Sequence, residues 1–131
     1  MLTSMLVKDY MRADPLAFKP GTELLAAVHQ LLAHQLSGAP VVDSDGVLIG
    51  FFSEKDALKA TLNASYYGQP GGPVEQFMTR EVITLSGESS LAAAIDLFLS
   101  RPFRAYPVVD GRRLIGQLSR ADALRALEKF R

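Results

Sequence analysis

Two stretches of this chain carry the same pattern. Ala39-Pro40-Val41-Val42-Asp43, Leu48-Ile49-Gly50 and Ser53-Glu54-Lys55-Asp56-Ala57-Leu58 return as Tyr106-Pro107-Val108-Val109-Asp110, Leu114-Ile115-Gly116 and Ser119-Arg120-Ala121-Asp122-Ala123-Leu124. The offset is 67 residues through Asp43/Asp110 and 66 from Leu48/Leu114 onward, so the second copy lacks one residue in its hairpin turn. The likeness reaches upstream, pairing Val7 with Val74, Met11 with Met78, Leu24 with Leu91 and Leu32 with Leu99. A duplication over nearly the whole chain restricts the fold to two copies of one supersecondary unit. It also directs the search for function to where the copies meet.

At 131 residues the chain suits one globular unit, and either half alone would be marginal. The halves are therefore expected to fold against each other. Acidic and basic residues balance at 14 each, with no basic run, which argues against a nucleic-acid partner. Cysteine is absent, excluding disulfides, iron–sulfur clusters and thiolate metal sites. The first eight residues lack the basic start and apolar core of a signal peptide, and no apolar run approaches the about 20 residues of a membrane span. The expected location is cytoplasmic, without membrane insertion.

Each copy reads β-α-β-β-α. An extended segment (Pro15 to Phe18; Val82 to Leu85) leads into a helix. Its apolar stripe is Leu24, Leu25, Val28, Leu31, Leu32 and Leu36 in the first copy, and Leu91, Ala94, Ile95, Phe98 and Leu99 in the second. Two short β-prone runs follow, joined by turns in which Gly46 and Gly111 take up a positive φ. Ser53 and Ser119 open a second helix, running to about Leu62 and Phe130. The organisation is repeat 1 over residues 7–62, a connector over 63–73 rich in Pro and Gly, and repeat 2 over 74–130, opened by a short helical turn at Val74 to Met78. Packing is favoured over a surface role for the connector's paired Tyr66 and Tyr67.

Taken together, the turns ending at Met11 and Met78, the Gly38-Ala39-Pro40-Val41-Val42-Asp43 and Ala105-Tyr106-Pro107-Val108-Val109-Asp110 strands, the Leu-Ile-Gly strands and the Ser-x-x-Asp-Ala-Leu helix starts resemble a tandem pair of CBS domains, the Bateman module, from Val7 to Phe130. The resemblance implies an α+β fold in which the two repeats pack sheet to sheet about a pseudo-twofold axis. It also implies two symmetric clefts, which in relatives bind AMP, ADP, ATP or S-adenosylmethionine. No obligatory cofactor is implied.

The residues admit the same chemistry. Asp56 or Asp122, in the first turn of a helix, offers two carboxylate oxygens to the vicinal hydroxyls of a ribose. Ser53 or Ser119, beside free N–H groups, can hold a phosphate oxygen. Equally, Ser-x-x-Asp caps a helix with no ligand at all, a contribution of about 1 kcal/mol. By resemblance, one cleft combines Ser119, Asp122 and Arg104 with Leu36, Ser37, Gly38 and Ala39. The other combines Ser53, Asp56 and Ser37 with Phe103, Ala105 and Tyr106, where Tyr106 either stacks on a base or fills the site. Arg104, a permanent cation, makes the Asp122 cleft the better expected phosphate binder. Thr84 stands opposite Ala17, a further inequality, in a segment where relatives touch the nucleotide. Lys55, Arg101 and Arg120 are secondary candidates, each also readable as a solvated charge.

No catalytic constellation is present. His29 and His34 lie off the leucine stripe with no ligand partner at metal spacing, and no phosphate loop or nucleophile elbow occurs. The leading expectation is a regulatory sensor that binds an adenosine compound and acts on a separate effector protein; the competing one is a ligand-free scaffold. Relatives pair into disc-like dimers, and Leu58, Leu62, Leu124, Leu127 and Phe130 provide apolar surface for a homodimer unless they pack within one chain.

Overall fold

The computed structural model describes residues 1–67 and 71–130, and the side chains of these except 64–67 and 130. Two compact units emerge, and they do not coincide with the sequence repeats. One is Leu16–Val82; the other joins Met1–Pro15 to the chain from Ile83 onward. Each unit is thus the body of one repeat closed by the opening turn of the other.

In the Leu16–Val82 unit, α1 (Leu24–His34) precedes an antiparallel hairpin of β1 (Gly38–Val42) and β2 (Leu48–Ser53), followed by α2 (Glu54–Tyr67). β1 is buried throughout, as its apolar, β-branched composition requires. Gly46 takes φ 82° in the hairpin turn, as expected. The extended Pro15–Phe18 segment is reduced to one parallel bridge, Phe18 to Val41. Pro20 has no N–H with which to continue the ladder. Phe18, Leu24, Ala27, Leu31, Val41, Phe52, Ala57 and Ala60 form the core, joined by Val74 and Met78 from the opening turn of repeat 2. That turn, a single 3-10 turn at Val74–Gln76, is tied down by Val74 N–H donating to Thr22 O (2.8 Å) while Leu24 N–H donates to Gly72 O (2.8 Å). The start of α1, which has no side-chain cap, is satisfied this way.

The other unit repeats the scheme. β3 (Leu85–Ser86) pairs in parallel with β4 (Ala105–Asp110), which pairs antiparallel with β5 (Arg113–Ser119); α3 (Leu91–Ser100) and α4 (Arg120–Leu127) complete it, with a 3-10 turn at Glu128–Phe130. The opening turn here is Val7–Asp9, and Val7 N–H donates to Ser89 O (2.9 Å) as Leu91 N–H donates to Met5 O (2.7 Å). Val7, Leu85, Leu91, Ala94, Phe98, Tyr106, Val108, Leu118, Ala123 and Ala126 form the core.

Two expectations are corrected. Leu25, Leu32 and Leu99 are exposed rather than part of the buried stripe. On α1 the core-facing Leu24, Ala27, Val28 and Leu31 span about 100° of the helix, and Leu25 and Leu32 fall outside that arc. Next, α2 continues through Tyr67, past the expected connector start at Asn63, because residues 63–67 contain neither Pro nor Gly. The side chains of Tyr66 and Tyr67, expected to pack, and of Phe130, expected to add apolar surface for a homodimer, lie outside those described. Tyr106 is a core residue, 1% exposed, its hydroxyl donating to Leu97 O at 2.9 Å and its ring 4.9 Å from that of Phe98.

Candidate ligand site at the two helix starts

Each unit presents one helix start built from a reciprocal cap. Ser119 Oγ accepts from Asp122 N–H (3.1 Å) and Asp122 Oδ2 accepts from Ser119 N–H (2.9 Å). At the other start, Ser53 Oγ accepts from Asp56 N–H (3.2 Å), and Asp56 Oδ2 accepts from both Ser53 N–H (2.9 Å) and Ser53 Oγ–H (3.0 Å). Both boxes satisfy donors that a helix N-terminus otherwise leaves open. The caps expected from Ser-x-x-Asp are therefore formed, and each leaves one carboxylate oxygen, Oδ1, pointing outward from the box.

The two Oδ1 atoms have different companions. Asp122 Oδ1 is ion-paired with Arg125 at 2.5 Å, the aspartate side chain being 12% exposed. Asp56 Oδ1 accepts from Thr79 Oγ1 at 3.3 Å. Thr79 reaches it because its backbone pairs with Phe51, N–H to O at 2.9 Å and the return bond at 2.8 Å. Arg12 makes the same pair with Gln117 in the other unit, at 3.0 and 2.9 Å. Thr79, Arg12 and Arg125 were not singled out from the sequence. The 67-residue offset that aligns Arg12 with Thr79, just after Met11 and Met78, was the available signal.

The strand starts are bonded to the same helices. Ser37 O accepts from Glu54 N–H (2.8 Å), and Arg104 O accepts from Arg120 N–H (3.0 Å). Ser37, Ser53 and Asp56 are thus brought together in one unit, and Arg104, Ser119 and Asp122 in the other. The first residue of each helix differs in sign, Glu54 against Arg120. With Arg104 and Arg125, the Asp122 start carries three arginines, all exposed. Gly38 lies under the Phe51 ring, which a Cβ at that position would strike. Ala39 is fully buried in the core. Leu36 and Ala105 are half-buried; Phe103 is exposed with its ring 6.1 Å from that of Tyr106. Thr84 is half-buried. His29 and His34 are both exposed. Among the described residues, no cluster of three or more His, Cys, Asp or Glu could hold a metal ion. No described helix is long and apolar enough to cross a membrane.

The family model described as the CBS domain matches residues 7–63 and again 74–129. The chain belongs to the CBS domain family. It is a tandem CBS pair of mixed α and β structure, as its solved neighbours are. The CBS-pair protein CBSX2, solved in complex with AMP, superposes with TM-score 0.85 at 29% identity, over 97% of this chain and 98% of that one. The CBS pair of protein MJ0100, solved with 5'-methylthioadenosine and S-adenosyl-L-methionine, gives TM-score 0.77 at 27% identity, over 97% and 98%. Among curated relatives, an uncharacterised 17.7 kDa protein of Acidianus ambivalens is 30% identical over 110 residues, 83% of this chain. This CBS pair spans 65% of that protein's length, and 14% and 42% of two further curated relatives.

Proposed function

We propose that this CBS pair is a cytoplasmic regulatory module that binds an adenosine compound at its Ser–Asp helix starts and transmits occupancy to a separate protein. The observation that carries this reading is the Asp122 helix start, where the capping box leaves Oδ1 to pair with the Arg125 guanidinium and the backbone-bonded neighbours Arg104 and Arg120 are exposed arginines. A ribose hydroxyl fits the carboxylate, and a phosphate fits the arginines. The complexes of CBSX2 with AMP and of MJ0100 with S-adenosyl-L-methionine support the ligand class. Leu58, Leu62, Leu124 and Leu127 are exposed and provide the apolar surface for a homodimer or for the effector. Regulation in the strict sense requires that ligand and partner affinities be coupled.

Thermal unfolding against AMP, ADP, ATP, S-adenosylmethionine, NADH and GTP tests the reading. A ligand at about 100 times its Kd adds about 2.7 kcal/mol, a rise of several degrees for a protein of this size. A rise with one adenosine compound and none with GTP is expected; a flat response to all of them overturns the reading. One observation favours a second reading, a ligand-free scaffold: both capping boxes are complete, and both Oδ1 atoms are partnered, from the chain's own residues. On that reading the flat response is the expected one.

A further inference from the structure

Gln117 is 7% exposed, and its Oε1 is buried with no hydrogen-bond partner. Its backbone is satisfied by Arg12, so the side-chain oxygen is what remains unpaired. Folded proteins rarely leave such an atom without a donor. Its position limits what the donor is. Tyr106, Val108 and Leu118 fill the core, and successive strand side chains point to opposite faces of a sheet. Ala105, Pro107, Gln117 and Ser119, paired as Ala105 with Ser119 and Pro107 with Gln117, therefore share the face of the β4–β5 hairpin away from that core. Gln117 stands two residues before the serine that caps the Asp122 helix start, on the same face. In the other unit its counterpart is Phe51, whose ring covers Gly38 and needs no partner.

We propose that Gln117 reads the base of the bound adenosine compound through its 6-amino group. This rests on the adenosine reading of the Asp122 helix start. The carboxamide carries one acceptor and one donor side by side, so Oε1 accepts from the exocyclic amine while Nε2 donates to the neighbouring ring nitrogen. Asp122 takes the ribose, Ser119 and the arginines take the phosphate, and the buried amide is satisfied only when the base is in place. Phe51 provides a flat apolar surface without this pairing, so the Asp56 helix start does not discriminate among purines.

The test is calorimetric titration of the wild-type protein and Gln117→Leu with AMP and with purine riboside 5'-monophosphate, which lacks only the exocyclic amine. The wild type is expected to prefer AMP by about ten- to a hundredfold, and Gln117→Leu to bind both at the weaker level. The thermal midpoint of Gln117→Leu is expected to stay or rise, since leucine leaves no acceptor unpaired. Should leucine not fold, Gln117→Met serves in its place, being unbranched and equally without need of a partner. Equal wild-type affinities for the two nucleotides, or a preference that survives the substitution, overturns the assignment while leaving the adenosine reading intact. Failure of the wild type to bind either nucleotide overturns the assignment, and a flat response to the whole thermal panel overturns the adenosine reading with it.

Discussion

The Arg125 guanidinium sits 2.5 Å from Asp122 Oδ1, on the oxygen that the capping box leaves free. A ribose hydroxyl approaching that oxygen must displace the arginine. Arg125→Ala is therefore expected to bind adenosine, which has no phosphate to recruit the arginine, several-fold more tightly than the wild type. The exposed i,i+3 pair itself contributes about 0.5 kcal/mol or less to stability, so the thermal midpoint should barely move. Calorimetry with adenosine reads the first quantity, and a weaker complex in the variant would show that Arg125 supports the ligand instead of guarding the carboxylate.

Asp122→Ala and Asp56→Ala separate capping from binding. Both remove one half of a capping box and each should cost about 1 kcal/mol, read as similar shifts in a denaturation midpoint. Their binding effects should differ. Asp122→Ala is expected to weaken AMP binding by tenfold or more and Asp56→Ala by much less, because Arg120 opens the first helix where Glu54 opens the second. Equal losses of affinity would refute the inequality of the two starts.

Gly50 and Gly116 hold equivalent places beneath the methionines of the exchanged turns. The three atoms nearest a methyl on Gly50 all belong to the side chain of Met78, a flexible thioether that can move aside. On Gly116 it would meet Met11 and, at 2.8 Å, the backbone carbonyl oxygen of Arg12, which is fixed by its bond to Gln117. Gly116→Ala is expected to destabilise by about 1–3 kcal/mol and Gly50→Ala by clearly less, as chemical denaturation would measure.

Burial holds the Tyr106 phenol above its ordinary value of 10, partly opposed by Arg101 and Arg120. Above about pH 10 the unfolded chain gives up this proton first, so it binds fewer protons than the native state and stability falls as pH rises. The contribution is fully present below pH 10 and is lost as pH climbs through the folded value. Tyr106→Phe should flatten that alkaline limb in pH-dependent urea denaturation. At neutral pH it should cost about 1 kcal/mol for the bond to Leu97 O.

The sequence made the local features readable. Two Ser-x-x-Asp motifs became two capping boxes, two glycine turns took positive φ at Gly46 and Gly111, and the apolar Ala-Pro-Val-Val run became a buried strand. What it left unread depends on which distant segment each element meets. Nothing local says that Val74 and Met78 pack under repeat 1, or that Val7 packs beside Leu91. The companions of the aspartates were missed for the same reason: Thr79 reaches Asp56 only through a backbone pairing across 28 residues. Tyr106 in the second copy stands where Ala39 stands in the first, and the Leu97 carbonyl that satisfies its hydroxyl carries no mark in the sequence. Leu25 and Leu32 passed for core because apolar spacing records a face, not what covers it.

The exchange of opening turns gives the two units unequal histories on the ribosome. Leu16–Val82 is one unbroken stretch and can complete its core as soon as Met78 has emerged. The other unit draws on residues before Pro15 and after Ile83. Val7 is therefore made about 110 residues before Leu118, with which it shares a core, and that core waits for the later residue. Until Leu118 has been made, the segment before Pro15 lacks part of the core it packs into.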